Sequence, residues 1–134
     1  MSNINRKNEK IIAVVGVSRD EEKFGFKVFN DLLRKGQNVY GVNPNTKVVL
    51  GQKIYSDLRN LPKIPNLVIT VVSPKVTEKI VDECISLGIK EIWMQPGSES
   101  EKAIEKAESN GISVIHDACI MIETNKDEDL LLKL

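Results

Sequence analysis

Ile11-Ile12-Ala13-Val14-Val15-Gly16-Val17-Ser18 decides the fold of this chain. It is a continuous apolar run that ends on a glycine and a hydroxyl. An uninterrupted run suits a strand buried on both faces, as in a parallel sheet covered by helices. The residues from about Phe24 to Lys35 read as a helix, with Phe24, Val28 and Leu32 at i, i+4, i+8 and Phe29 and Leu33 alongside. A buried strand, a glycine-containing turn and a helix therefore follow one another near the start. This is the geometry in which backbone N–H groups and a helix N-terminus receive a phosphate, although a plain strand-to-helix turn reads the same way.

The same cadence repeats downstream. Lys35-Gly36, Leu87-Gly88 and Asn110-Gly111 each close a helix just before a strand. Further strands are expected at Asn38 to Val42, Asn66 to Val72, Glu91 to Met94 and Ser113 to His116. Val48 to Leu50 and Lys53 to Tyr55 flank Gly51-Gln52 as a small excursion or hairpin. Ser56 is a candidate cap for a short helix from Asp57 to Asn60. Ser73-Pro74 opens a second helix with Val76, Ile80 and Cys84 on one face, and Ser98 to Glu101 matches a capping box for a third. Asp117 to Ile122 is either a short helix or irregular. The expected architecture is a Rossmann-like α/β three-layer sandwich on a five-stranded parallel sheet of order 3-2-1-4-5. One domain over residues 1–134 is expected, with a polar arm over Met1 to Lys10 and a tail from 124 onward.

Composition narrows the function. Lys+Arg and Asp+Glu each total 19, so the basic excess of a nucleic-acid binder is missing. No apolar stretch is long enough for a bilayer, the polar start does not read as a signal peptide, and the cytosol is the expected compartment. Cys84 and Cys119 lack CxxC spacing and read as free thiols. His116 is the single histidine, which disfavours a His-rich metal site or a hydrolase triad. The tail Leu130-Leu131-Leu132-Lys133-Leu134 packs either on the domain or on a second copy, which leaves a homo-oligomer open.

In a parallel sheet the segments that follow the strands share one edge, where a crevice forms at the topological switch point. Here they are Gly16-Val17-Ser18, Asn43-Pro44, Ser73-Pro74, Gln95-Pro96-Gly97 and Asp117-Ala118-Cys119. They make a binding rim rather than a reaction centre. Arg19, Lys23 and Lys75 offer positive charge to phosphates, whereas Asp20, Glu21 and Glu22 oppose it. A GxGxxG pattern is absent, and strand two ends in Asn43 rather than a ribose-binding acid, which argues against NAD.

The ordered set of Val14-Val15-Gly16-Val17-Ser18, Lys23-Phe24-Gly25, Val42-Asn43-Pro44, Gly51 and Tyr55 resembles the CoA-binding domain family. These are small proteins similar to the N-terminal domain of the succinyl-CoA synthetase α subunit. The resemblance continues through Val71-Val72-Ser73-Pro74, Glu91 to Gly97 and Asp117 to Glu123. It implies coenzyme A or an acyl-CoA at the carboxyl edge. Gly16, Val17 and Ser18 would take the phosphate side, with Lys23 and Gly25 beside them. Asn43 and Pro44 would line the adenosine side, and Val72, Ser73 and Pro74 would flank the nucleotide. Gln95, Pro96 and Gly97 would meet the pantetheine arm, and Cys119 the inner wall. Members often carry a basic residue before that cysteine, where this chain has Ala118. The synthetase's phosphorylated histidine belongs to a domain outside the resemblance, so His116 does not take that role. The expectation is a stand-alone CoA-binding module without catalysis. Its rivals are an NAD(P)-binding enzyme or redox sensor and an interaction module.

Overall fold

A computed structural model describes residues 10–134. The expected polar arm lies, Lys10 apart, outside the described residues. The elements run β1 (Ile11–Val15), α1 (Phe24–Arg34), β2 (Asn38–Val42), β3 (Val48–Val49), β4 (Gln52–Tyr55), a 3-10 turn (Leu58–Asn60), β5 (Leu67–Thr70), α2 (Pro74–Leu87), β6 (Glu91–Met94), α3 (Glu101–Ser109), β7 (Ser113–Ile115), α4 (Ile120–Lys126) and α5 (Leu130–Lys133). None of the described helices is long and apolar enough to cross a membrane.

The sheet order is β3-β4-β2-β1-β5-β6-β7. Every pairing is parallel except the small β3–β4 hairpin. The α/β Rossmann-like class holds, but the expected order 3-2-1-4-5 does not. Counting only the five strands of the expected sheet, the order is 2-1-3-4-5. The cause is the hairpin, whose β4 pairs with the outer side of β2 (Gly41 beside Ile54). That edge is then filled, so the next strand crosses back to the free side of β1 (Ala13 beside Val68). The hairpin also raises the strand count from five to seven.

Strand β1 sends successive side chains to opposite faces, as the two-residue period requires. Ile12 and Val14 join Val28, Phe29 and Leu32 of α1, with Ile120 and Leu131 beyond. Ala13 and Val15 join Ile80, Val81 and Cys84 of α2, with Ala103 and Ala107 of α3. Leu131 thus turns part of the leucine tail inward, and the Leu134 carbonyl accepts a hydrogen bond from Lys10 Nζ (3.0 Å), while Leu132 stays half exposed.

Local details differ from the sequence reading at four points. The buried stripe of α1 is Gly25, Val28, Phe29 and Leu32. Phe24 lies just beyond the edge of that stripe and is 59% exposed. On α2 the buried set is Thr77, Ile80, Val81 and Cys84, with Val76 turned outward. The 3-10 turn is capped by Asp57, not Ser56, and α3 by Ser100, whose Oγ accepts from the Ala103 N–H (3.0 Å). Ser98 is instead buried, donating to the Gln95 carbonyl (2.7 Å) and sharing a hydrogen bond with Thr70 (2.9 Å).

Candidate functional site

The switch point lies between β1 and β5, whose following helices leave toward opposite faces of the sheet. Two glycines bring three backbones together there. Gly16 takes φ +106°, and a Cβ at that position would land well inside 3.0 Å of the Val71 carbonyl oxygen. A Cβ on Gly25, in the first turn of α1, would strike the Gly16 carbonyl in the same way. Both glycines are therefore fixed by close backbone approach.

This packing uses up part of the expected phosphate cradle. The Gly16 N–H donates to the Val42 carbonyl (2.9 Å), and the Val17 N–H donates to the same oxygen (3.3 Å). Val17 is fully buried and belongs to the core. Ser18 stays at the surface, its Oγ accepting from the Asp20 N–H (3.0 Å). The remaining backbone donors are the first-turn amides of α1 and α2. Neither Lys23 nor Ser73, their respective N-cap residues, makes a side-chain cap hydrogen bond. An uncapped first turn leaves N–H groups for a ligand or water.

Two depressions open beyond the carboxyl ends and share Gly16 and Val72 as a common wall. One, of about 370 Å³, is mostly apolar, with Val42 and Pro44 on one side and Val72, Val76 and Ile80 on the other. Asn43 borders it, but its amide is occupied: Nδ2 donates to the Val17 carbonyl (2.6 Å) and Oδ1 accepts from the Asn45 N–H (2.8 Å). The second, of about 490 Å³, runs from Ser18, Lys23 and Gly25 to Ser73, Pro96 and Gly97. Glu22 also lines it, so one acid of the 20–22 turn does face this depression.

Four expected site residues lie elsewhere. Val17 is core, and Pro74 opens α2 outside both linings. The Gln95 side chain is 3% exposed and turned toward α4. Its Oε1 accepts from the Ile120 N–H (2.6 Å) and its Nε2 donates to Cys119 Sγ (3.4 Å). Cys119 lines neither depression and is held behind Gln95, where Trp93 Nε1 donates to the Ala118 carbonyl (2.9 Å). Gln95 thus caps a helix instead of reaching into the groove. The Gln95→Leu variant leaves the Ile120 N–H buried without a partner and is expected to lose about 1–3 kcal/mol of stability. Chemical denaturation measures that loss.

Sequence reasoning missed Asp57, Lys79 and Glu83, which also line the apolar depression. Val76, Lys79, Ile80 and Glu83 follow the same helical period as the core face of α2, so spacing alone did not separate groove from core. Burial is the main force raising the Glu83 carboxyl above its ordinary 4.5, and the Asp57 charge adds to it. The folded chain therefore holds this proton more tightly than the unfolded one. Ionised Glu83 costs stability above its raised value, and the cost fades as pH falls through that value toward 4.5. Glu83→Gln is expected to melt above the parent at about pH 8, the gap closing by about pH 4 in a melting series. Burial pushes the Cys84 thiol up to about 12, consistent with an inert core cysteine. Among the described residues no three His, Cys, Asp or Glu side chains gather as metal ligands.

A third hollow, of about 310 Å³, lies at the opposite edge of the sheet, beside Lys35, Gln37 and Thr124. Its lysine is occupied, donating to Asp31 Oδ2 (2.7 Å) and Thr124 Oγ1 (2.8 Å).

A doubly wound sheet with a divided groove at its switch point defines an α/β protein of the Rossmann-like class. Residues 10–125 match the family model described as a CoA binding domain, and the chain belongs to that family. It is 32% identical over 126 residues to the ADP-forming acetate–CoA ligase I of Archaeoglobus fulgidus, covering 86% of this chain and 18% of the ligase. Against the α subunit of the ADP-forming acetate–CoA ligase II of Pyrococcus furiosus, the identity is again 32%, over 86% of this chain and 28% of the subunit. The chain thus spans less than a third of these curated relatives. Among solved structures, a conserved hypothetical protein from Pyrococcus furiosus superposes with a TM-score of 0.82 at 40% identity, covering 86% of this chain and 99% of that one. A hypothetical protein from Pyrococcus horikoshii gives 0.83 at 33% identity, over 90% of this chain and 82% of the other.

Proposed function

We propose that this chain binds coenzyme A or an acyl-CoA in the divided groove, as a binding module and without chemistry of its own. The observation that carries the reading is the pair of depressions joined at Gly16 and Val72, in a member of a CoA-binding family. CoA is apolar and flat at its base, anionic at its diphosphate and extended at its pantetheine arm. The apolar depression suits the base. The uncapped first turns of α1 and α2, with Lys23, suit the diphosphate, since anions are favoured at helix N-termini. Pro96 and Gly97 then border the path of the arm.

A thermal-shift panel with CoA, acetyl-CoA, NAD+, NADH and ATP tests this. A ligand at about 100 times its dissociation constant adds about 2.7 kcal/mol to stability. CoA or acetyl-CoA is expected to raise the melting midpoint by several degrees, with NAD+ and NADH inert. A shift with the nicotinamide cofactors and none with CoA overturns the reading.

A further inference from the structure

The turn that closes α3 carries the chain's one Asn–Gly pair, Asn110-Gly111. It precedes β7 at the amino edge of the sheet, and neither depression of the groove includes it. Both residues are exposed, and open space surrounds Gly111 at φ +79°. A glycine nitrogen, unhindered by a side chain, attacks the amide of a preceding asparagine more readily than any other. The Gly111 nitrogen would bond to Asn110 Cγ and lose its proton, and the side-chain nitrogen would leave as ammonia. Water then opens the cyclic imide to aspartate or isoaspartate.

The folded turn holds both reacting groups. The Gly111 N–H donates to the Glu108 carbonyl (3.1 Å) and the Ile112 N–H to the Ala107 carbonyl (3.0 Å), the paired bonds of a Schellman motif. Ala107 and Ile112 are buried in the same cluster, which anchors the motif. Asn110 Nδ2, the leaving amide, donates to the Lys106 carbonyl (2.8 Å), which Ser109 Oγ also serves (3.1 Å). Reaction therefore requires the last turn of α3 to open, and helix ends open at low local cost. The product does not restore the turn. A carboxylate has no hydrogen to give the Lys106 carbonyl, and its charge sits at the negative end of the helix dipole. Isoaspartate also adds a backbone carbon, which moves Ile112 relative to Ala107. We propose that Asn110 is a deamidation site gated by the C-terminal turn of α3, and that its conversion weakens that turn. The inference is independent of the CoA-binding reading.

Incubation of the whole chain in mildly alkaline buffer, with and without guanidinium chloride, tests this when followed by peptide mass mapping. The mass gain of an amide exchanged for an acid is expected at Asn110 before any other asparagine. It is expected to be about tenfold or more slower in the folded chain than in denaturant, since the turn must first open. The Asn110→Asp variant is expected to melt about 3–6 °C below the parent. Equal rates with and without denaturant, a first mass gain at another asparagine, or an Asn110→Asp variant that melts with the parent each overturns the inference.

Discussion

The Gly16→Ala and Gly25→Ala variants are each expected to lose about 3 kcal/mol or more of stability, which lowers the melting midpoint by roughly 10 °C. The added methyl at position 16 meets the Val71 carbonyl, and φ +106° is strained for any residue with a Cβ. At position 25 the methyl meets the Gly16 carbonyl, so relief requires moving α1 off the sheet. Neither obstacle is a flexible side chain. Gly36→Ala supplies the control: its φ is +76°, but open space surrounds it. That variant is expected to cost only about 1 kcal/mol, the left-handed penalty alone. Denaturant titration of the three variants measures the contrast. It also shows that loss of ligand binding on changing Gly16 would not by itself mark a ligand contact.

The second large effect is on affinity. Val76→Asp is expected to weaken CoA binding about 100-fold while the domain stays folded. Val76 is 39% exposed and stands in the first turn of α2, where an acid favours the helix dipole. The same acid would replace part of the apolar wall and place a third negative charge in a compartment already holding Asp57 and Glu83. Calorimetry with CoA, paired with a melting curve, separates binding from folding. Undiminished affinity would move the base out of this compartment.

Much of the fold is legible in the chain because its signals are local. The apolar run of β1 and the glycines that close α1, α2 and α3 each act within a few residues. Gly36, Gly88 and Gly111 do take left-handed φ values. Strand order is not local. Periodicity marks Leu67–Thr70 as a strand but says nothing of which edge is free, and the pairing of Ile54 with Gly41 settles that. The site shows the same division. Carboxyl-edge segments gather wherever strands are parallel, so Ser18, Pro44, Ser73 and Gly97 were readable as rim. Whether an N–H is already spent was not readable: the Val42 carbonyl takes the amides of both Gly16 and Val17. Gln95 likewise reads as rim by position, but its amide is drawn inward by the Ile120 N–H. Glu83 escaped notice because a helical acid between core positions looks like a solvated one.

Backbone amide NMR of the labelled chain, titrated with CoA, tests the central claim most directly. The account expects the largest shifts at Gly16, Ser18, Val72, Ser73 and Gly97, with smaller ones at Val76 and Glu83, and none around Lys35, Gln37 and Thr124. Shifts confined to that opposite hollow, or none at millimolar CoA, would contradict it.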